Sequence, residues 1–201
     1  MKLLQDEKLN VSVTTRAGED NVLWILNHLR SHPYRGLLGK VTYLPITNTN
    51  KNEWRSEVEK TSFALLYHSQ NHGRLNITDV TDSLYDNELH HLSDQLGRQN
   101  VIVVIDDLKK SDDEEKERIL HSQPSISRLA RELLLFSDKE KDPMPVAKQQ
   151  VLLGAFRSAY GDRQTSQTSQ SSKFQWKHKL LVAFVVVATA ILGRKIYQKR
   201  H

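Results

Sequence analysis

Asp106 and Asp107 close the strongest strand signal in the chain, Asn100-Val-Ile-Val-Val-Ile-Asp106. A carboxylate at the end of a buried strand can hold a magnesium ion and, through it, a phosphate chain. His68 and His72 stand four residues apart in the polar stretch His68-Ser-Gln-Asn-His-Gly-Arg74 and could offer imidazoles to a metal. Arg16, in Thr14-Thr-Arg-Ala-Gly18, is the cation of another polar turn. If each of these stretches follows a strand, Arg16, His68, His72 and Asp106 gather at the strand carboxyl ends. They would then form the cleft of a hydrolase or a nucleotide-binding enzyme.

Each of those chemistries lacks a part. Val101 to Asp106 resembles the strand and aspartate that hold magnesium in P-loop NTPases, but such proteins need a phosphate loop after the first strand. Thr15-Arg-Ala-Gly-Glu-Asp20 has neither the glycine-rich wrap nor the lysine, and its acids would repel phosphate. The dinucleotide glycine pattern is absent as well. His90 and His91 are adjacent on a predicted helix, about 100° apart, so they cannot share a metal. Solvated histidines are the commoner outcome for such residues. No nucleophile-elbow pattern occurs. The run Phe63-Ala-Leu-Leu-Tyr67, a loop with His72-Gly73, and the next apolar strand are faintly similar to the caspase-type sheet. Caspases carry a cysteine after that next strand where this chain has Asp106, so the likeness implies at most an inactive relative. The chain contains no cysteine, which excludes disulfides, zinc thiolates and thiol nucleophiles. No catalytic residue, cofactor or metal is therefore expected.

The elements that would position these residues are legible in order. Leu9 to Thr15 alternates apolar and polar and is rich in β-branched residues, as a strand is. Val22, Leu23, Leu26 and Leu29 mark one face of a helix from about Glu19 to Arg30, opened by acids that suit its dipole. Lys40 to Thr47 predicts a second strand, and Pro45 places it at an edge. A short helix from Glu53 to Lys60 turns Trp54 and Val58 inward. Ser62 to Tyr67 is a near-continuous apolar run, as a parallel strand covered on both faces requires. Tyr85, Leu89, Leu92 and Leu96 predict a helix that stops at Gly97. After the Asn100–Asp106 strand, Ser111 and Glu114 are spaced as a capping box. Ile126, Leu129, Ala130, Leu133 and Phe136 suggest a further helix after Pro124. Val146, Leu153, Phe156 and Tyr160 suggest one face of a last one. Strand and helix alternate, which predicts an α/β domain with a mainly parallel four-stranded flavodoxin-like sheet. Its order is 2-1-3-4, flanked by helices, over residues 1–160.

Beyond it the composition changes. Residues 161–175 are mostly Gln, Ser and Thr and predict a flexible polar tether. Leu180 to Gly193 is a run of 14 residues without a charge. Leu180, Leu181, Phe184, Val185, Val186, Val187, Ile191 and Leu192 make it apolar on all sides, which fits lipid better than a core. Lys177 and Lys179 precede it, Arg194 and Lys195 follow it, and lysine and arginine stems can snorkel to the headgroups. Trp176 and Tyr197 stand where aromatic belts stand, so residues 176–197 are expected to span a thin bilayer as a tail anchor. Residues 198–201 form a short basic end.

The net charge of +5 includes seven Lys and Arg and no acid in residues 173–201, so residues 1–172 carry 5 − 7 = −2. The basicity thus serves anionic lipid and gives no reason to expect nucleic acid. The expectation is a single-pass membrane protein with a cytosolic domain that binds a protein partner or itself. A short run with basic flanks favours the mitochondrial outer membrane over the endoplasmic reticulum or peroxisome.

Overall fold

The computed structural model of the chain describes residues 8–165. Five parallel strands form one sheet: β1 (Leu9–Thr15), β2 (Leu38–Pro45), β3 (Phe63–Ser69), β4 (Val101–Asp106) and β5 (Glu132–Leu135). Their order is β2-β1-β3-β4-β5, the flavodoxin-like arrangement, with the chain reversing direction of travel between β1 and β3. The expected 2-1-3-4 order is present and is extended by a strand.

Strand alternation divides the core into two layers. Phe63, Leu65 and Tyr67 of β3 and Ile102 and Val104 of β4 face α1 (Glu19–Arg30) and the last helix, α6, which begins at residue 146. Ala64 and Leu66, with Val101, Val103 and Ile105, face α2 (Lys51–Glu59), α3 (Asp86–Leu96), α4 (Asp113–Ser122) and α5 (Ser125–Leu129). All seven residues of β3 are buried, so no polar–apolar alternation marks it in the sequence. Each large side chain so buried contributes roughly 1.5–3 kcal/mol from apolar area alone.

β5 replaces most of a predicted helix. The spacing of Ile126, Leu129 and Ala130 does make a helical turn, but α5 is only five residues long. Ala130 is extended (φ −120°, ψ 153°), and Glu132 to Leu135 then pair with Ile102 to Ile105. Leu133 and Leu135 enter the α2–α3 layer while Leu134 and Phe136 enter the α1 layer. A period of two had been hidden inside an apolar run.

Smaller differences have similar causes. Leu23 is 39% exposed, because Val22, Ile25, Leu26 and Leu29 complete the buried face of α1 without it. On α6 the buried face is Leu152, Leu153, Ala155, Phe156 and Ala159, and Val146 is exposed at the helix start. The cap of α4 is shifted by one residue. The Asp112 carboxylate accepts from the Glu115 N–H at 2.9 Å, and the Ser111 hydroxyl donates instead to Glu140.

β2 is an edge strand, as Pro45 predicts. On it, the Arg30 guanidinium donates to the Val41 carbonyl at 3.0 Å. The described residues up to Tyr160 form one compact unit, and Gly161 begins a second. Of the second, residues 161–165 are helical, so the near end of the predicted tether is helix, with the Thr165 hydroxyl donating to the Gly161 carbonyl at 3.0 Å. The rest of the tether and the whole apolar run, from Lys177 and Leu180 to Leu192 and Lys195, lie outside the described residues. No helix among the described residues is long and apolar enough to cross a membrane.

Candidate functional site at the sheet carboxyl edge

The sheet sets Asp106 on the opposite face from Arg16 and His68. Asp106 follows Ile102 and Val104 in the alternation of β4 and therefore points toward α1. Its Oδ2 accepts from Trp24 Nε1 of α1 at 3.0 Å and from the Tyr67 hydroxyl of β3. The Lys141 ammonium lies 3.1 Å from the same oxygen, and Oδ1 accepts the Asp107 N–H at 2.7 Å. This carboxylate is wholly buried. Burial raises its pKa even though Tyr67, the Asp107 N–H and Lys141 all pull it down.

Asp107 turns back in the left-handed region (φ 62°) and takes the Ser69 hydroxyl and a second contact with Lys141. Against the pull of burial, Lys141 and Ser69 hold its carboxyl below the ordinary range. Lys141 also lies 3.2 Å from Asp138. Burial would lower the ammonium pKa, but Asp107 and Asp106 raise it above the ordinary value, so it stays charged. Next to it, Glu140 accepts from Ser111, from the Ser137 N–H at 2.9 Å and from Lys148 at 2.6 Å. Although burial opposes it, these donors hold Glu140 at about 2. The segment after β5 thus closes over the end of β4 as a polar clasp. The cation that the Asp106 carboxylate faces is the chain's own Lys141 ammonium.

Arg16 and His68 belong to the other face. His68 follows Ala64 and Leu66 in β3 and is 3% exposed, its Nδ1 lying 3.5 Å from the Tyr85 hydroxyl. Burial lowers its pKa to about 4, so it is neutral at pH 7. Arg16 is held by three bonds: to the Leu84 carbonyl at 2.9 Å, Asn48 Oδ1 at 3.2 Å and Glu88 at 2.9 Å. Its guanidinium carbon sits 5.8 Å from the centre of the Tyr85 ring. His72 returns to the α1 side, where its Nε2 lies 2.7 Å from Asn21 Oδ1 at the surface. Arg16 and His68 thus point to the opposite face of the sheet from Asp106, while His72 turns its ring to Asn21 although its loop passes beside His68. Among the described residues, Arg16, His68, His72 and Asp106 make no hydrogen bond with one another.

Beside Arg16, the carboxyl ends of β1 and β2 open into a cavity of about 190 Å³ between α2 and α3. Ile46 and the buried Trp54 contribute its apolar lining, Trp54 being fixed by a 2.7 Å bond from its Nε1 to the Thr14 hydroxyl. Lys51, Arg55, Asn48 and Asn87 bring polar groups, and Glu88 brings the carboxylate. Lys51 and Arg55 are solvent-exposed, and neither side chain makes a hydrogen bond or an ion pair with a described residue.

Among the described residues, no three His, Asp or Glu side chains converge as metal ligands would. His91 packs on the Trp54 ring, with centroids 5.3 Å apart, while its neighbour His90 is exposed. Sequence reasoning missed Lys141, Lys51 and Arg55. Lys141 lies in the charged stretch Asp138-Lys-Glu-Lys-Asp142, which reads as a break between helices. Its role depends on that stretch folding back over β4, and no local pattern encodes this. Arg55 reads as the polar side of the predicted Glu53–Lys60 helix and Lys51 as part of the loop before it, whereas the helix starts at Lys51. Only the packing of α2 beside Arg16 makes them part of a cavity. No protein-family model matches the chain, and no curated protein matches it significantly.

Proposed function

We propose that the chain is a tail-anchored membrane protein that presents its α/β domain on the cytosolic face of an organelle as an interaction module. Residues 176–197 are the anchor, the mitochondrial outer membrane is the favoured site, and the partner is a protein or a second copy. Confinement to a membrane makes weak association effective by raising local concentration. The observation that carries binding over catalysis is that Asp106 points to the opposite face of the sheet from Arg16 and His68. Each of the four is engaged by groups of its own face, and Asp106 is saturated by Trp24, Tyr67 and Lys141. Support for the anchor is the uncharged run Leu180 to Gly193 between basic flanks.

Alkaline carbonate extraction of cells expressing the full chain, or the chain without residues 174–201, tests the anchor. The full chain is expected in the membrane pellet and the shortened one in the supernatant. Recovery of the full chain in the supernatant would sink the proposal. Imaging against an outer-membrane marker then tests the organelle. Replacing Arg194, Lys195, Lys199 and Arg200 with serine should move the protein to the endoplasmic reticulum, since the positive flank is lost.

A further inference from the structure

The cavity between α2 and α3 carries a charge imbalance that the fold does not use. Arg16, Lys51 and Arg55 line it, against the single carboxylate of Glu88. Arg16 and Glu88 neutralise each other at 2.9 Å. That leaves Lys51 and Arg55, so the cavity holds 3 − 1 = +2. Glu53 and Asp86, the other acids in the first turns of α2 and α3, do not line it. Elsewhere at this edge the cation in the clasp, Lys141, already has its carboxylates.

We propose that this cavity binds a phosphomonoester dianion. A phosphomonoester carries between one and a half and two negative charges at neutral pH, which matches the residual +2; a carboxylate would satisfy only half of it. Guanidinium and carboxamide donors suit phosphate oxygens, and Arg16 is held in place by Leu84, Asn48 and Glu88 with donors to spare. At about 190 Å³ the space is smaller than the roughly 300–1,000 Å³ of pockets for drug-sized ligands, so it takes the phosphate and a small substituent. Ile46 and Trp54 offer that substituent an apolar wall. The site lies at the carboxyl ends of β1 and β2, beside the switch point where flavodoxin-like sheets bind ligands. It differs from the turn before α1, where Glu19 and Asp20 stand against phosphate. The ligand is a free sugar phosphate or a phosphorylated side chain of a partner. All residues of this cavity lie in the domain and none in the proposed anchor.

Calorimetric titration of the full chain in detergent micelles, at fixed ionic strength, tests this with ribose 5-phosphate, a short phosphoserine peptide and acetate. Both phosphate probes are expected to bind and acetate to bind far more weakly. Lys51→Gln with Arg55→Gln should weaken the phosphate probes by about tenfold or more, the scale of one charge-assisted hydrogen bond. Lys40→Gln with Lys60→Gln removes the same charge from another part of the surface and should change affinity little. The tighter of the two phosphate probes identifies the source. Equal losses in both double variants would show diffuse attraction and overturn the site. So would acetate binding as tightly as phosphate, or no heat from either phosphate probe.

Discussion

The two faces of the sheet end differently. On the α1 face, Asp106, Asp107, Lys141, Tyr67, Ser69 and Trp24 satisfy one another in a closed network under the segment after β5. On the α2–α3 face, His68 is buried neutral and Arg16 is paired, but the Lys51 and Arg55 side chains make no ion pair with a described residue. Residues of the types that do chemistry stand on both. Of these two sets of residues, it is the second that leaves charge over for something outside the chain. Chemical type therefore says little about availability; that depends on what the fold brings against each group.

The sharpest way to break this contrast is at Lys141. Lys141→Met leaves Asp106 buried without its cation, and removing one partner of a buried pair costs roughly 3–5 kcal/mol. The ammonium is 23% exposed, so the lower part of that range, about 3–4 kcal/mol, is expected in urea denaturation of the full chain. Adding Asp106→Asn should recover part of the loss. A change below about 1 kcal/mol would mean the network is no clasp but a surface pair.

His68 tests the opposite face through pH. Its folded pKa of about 4 lies below the ordinary value of 6.5, so the fold favours the neutral ring. That contribution is complete above pH 6.5 and is lost as pH falls from there through about 4, because the unfolded chain takes up the proton first. The loss amounts to roughly 3 kcal/mol. Stability curves of the wild type and His68→Leu should diverge over that window. Parallel curves would show that the ring protonates freely in the fold.

Arg16 should give the smallest effect. Its pair with Glu88 is partly exposed, with side chains 30% and 19% accessible, and such pairs contribute about 1 kcal/mol or less. Arg16→Gln should therefore lower stability only slightly while weakening any phosphate bound in the cavity. A loss as large as that of Lys141→Met would place Arg16 in the fold's framework and remove the contrast between the faces.

The fold was largely legible because strand and helix alternate along the first 106 residues with clear breaks. α1 runs from Glu19 to Arg30 as its apolar spacing and acidic start indicate, and Pro45 marks the edge strand. β5 was not legible, since Leu133, Leu134, Leu135 and Phe136 satisfy a helical and a buried-strand pattern equally well. At the site, the division of the four cleft residues depends on register. Ser69 pairs with Asp106 and His68 with Ile105, so His68 and Asp106 take opposite parity. A one-residue slip would have put them on the same face, and no single strand records which register holds.

The edge strand has a consequence for crowded surfaces. An open parallel sheet exposes backbone donors and acceptors along its rims, and these can template fibrous growth from copy to copy. Here one rim, β5, is only four residues long. On the other, Pro45 lacks a donor and the Arg30 guanidinium occupies the Val41 carbonyl. Propagation through β2 would have to displace that guanidinium and skip the proline. Copies concentrated side by side can thus meet through their helices without seeding a continuous cross-molecular sheet.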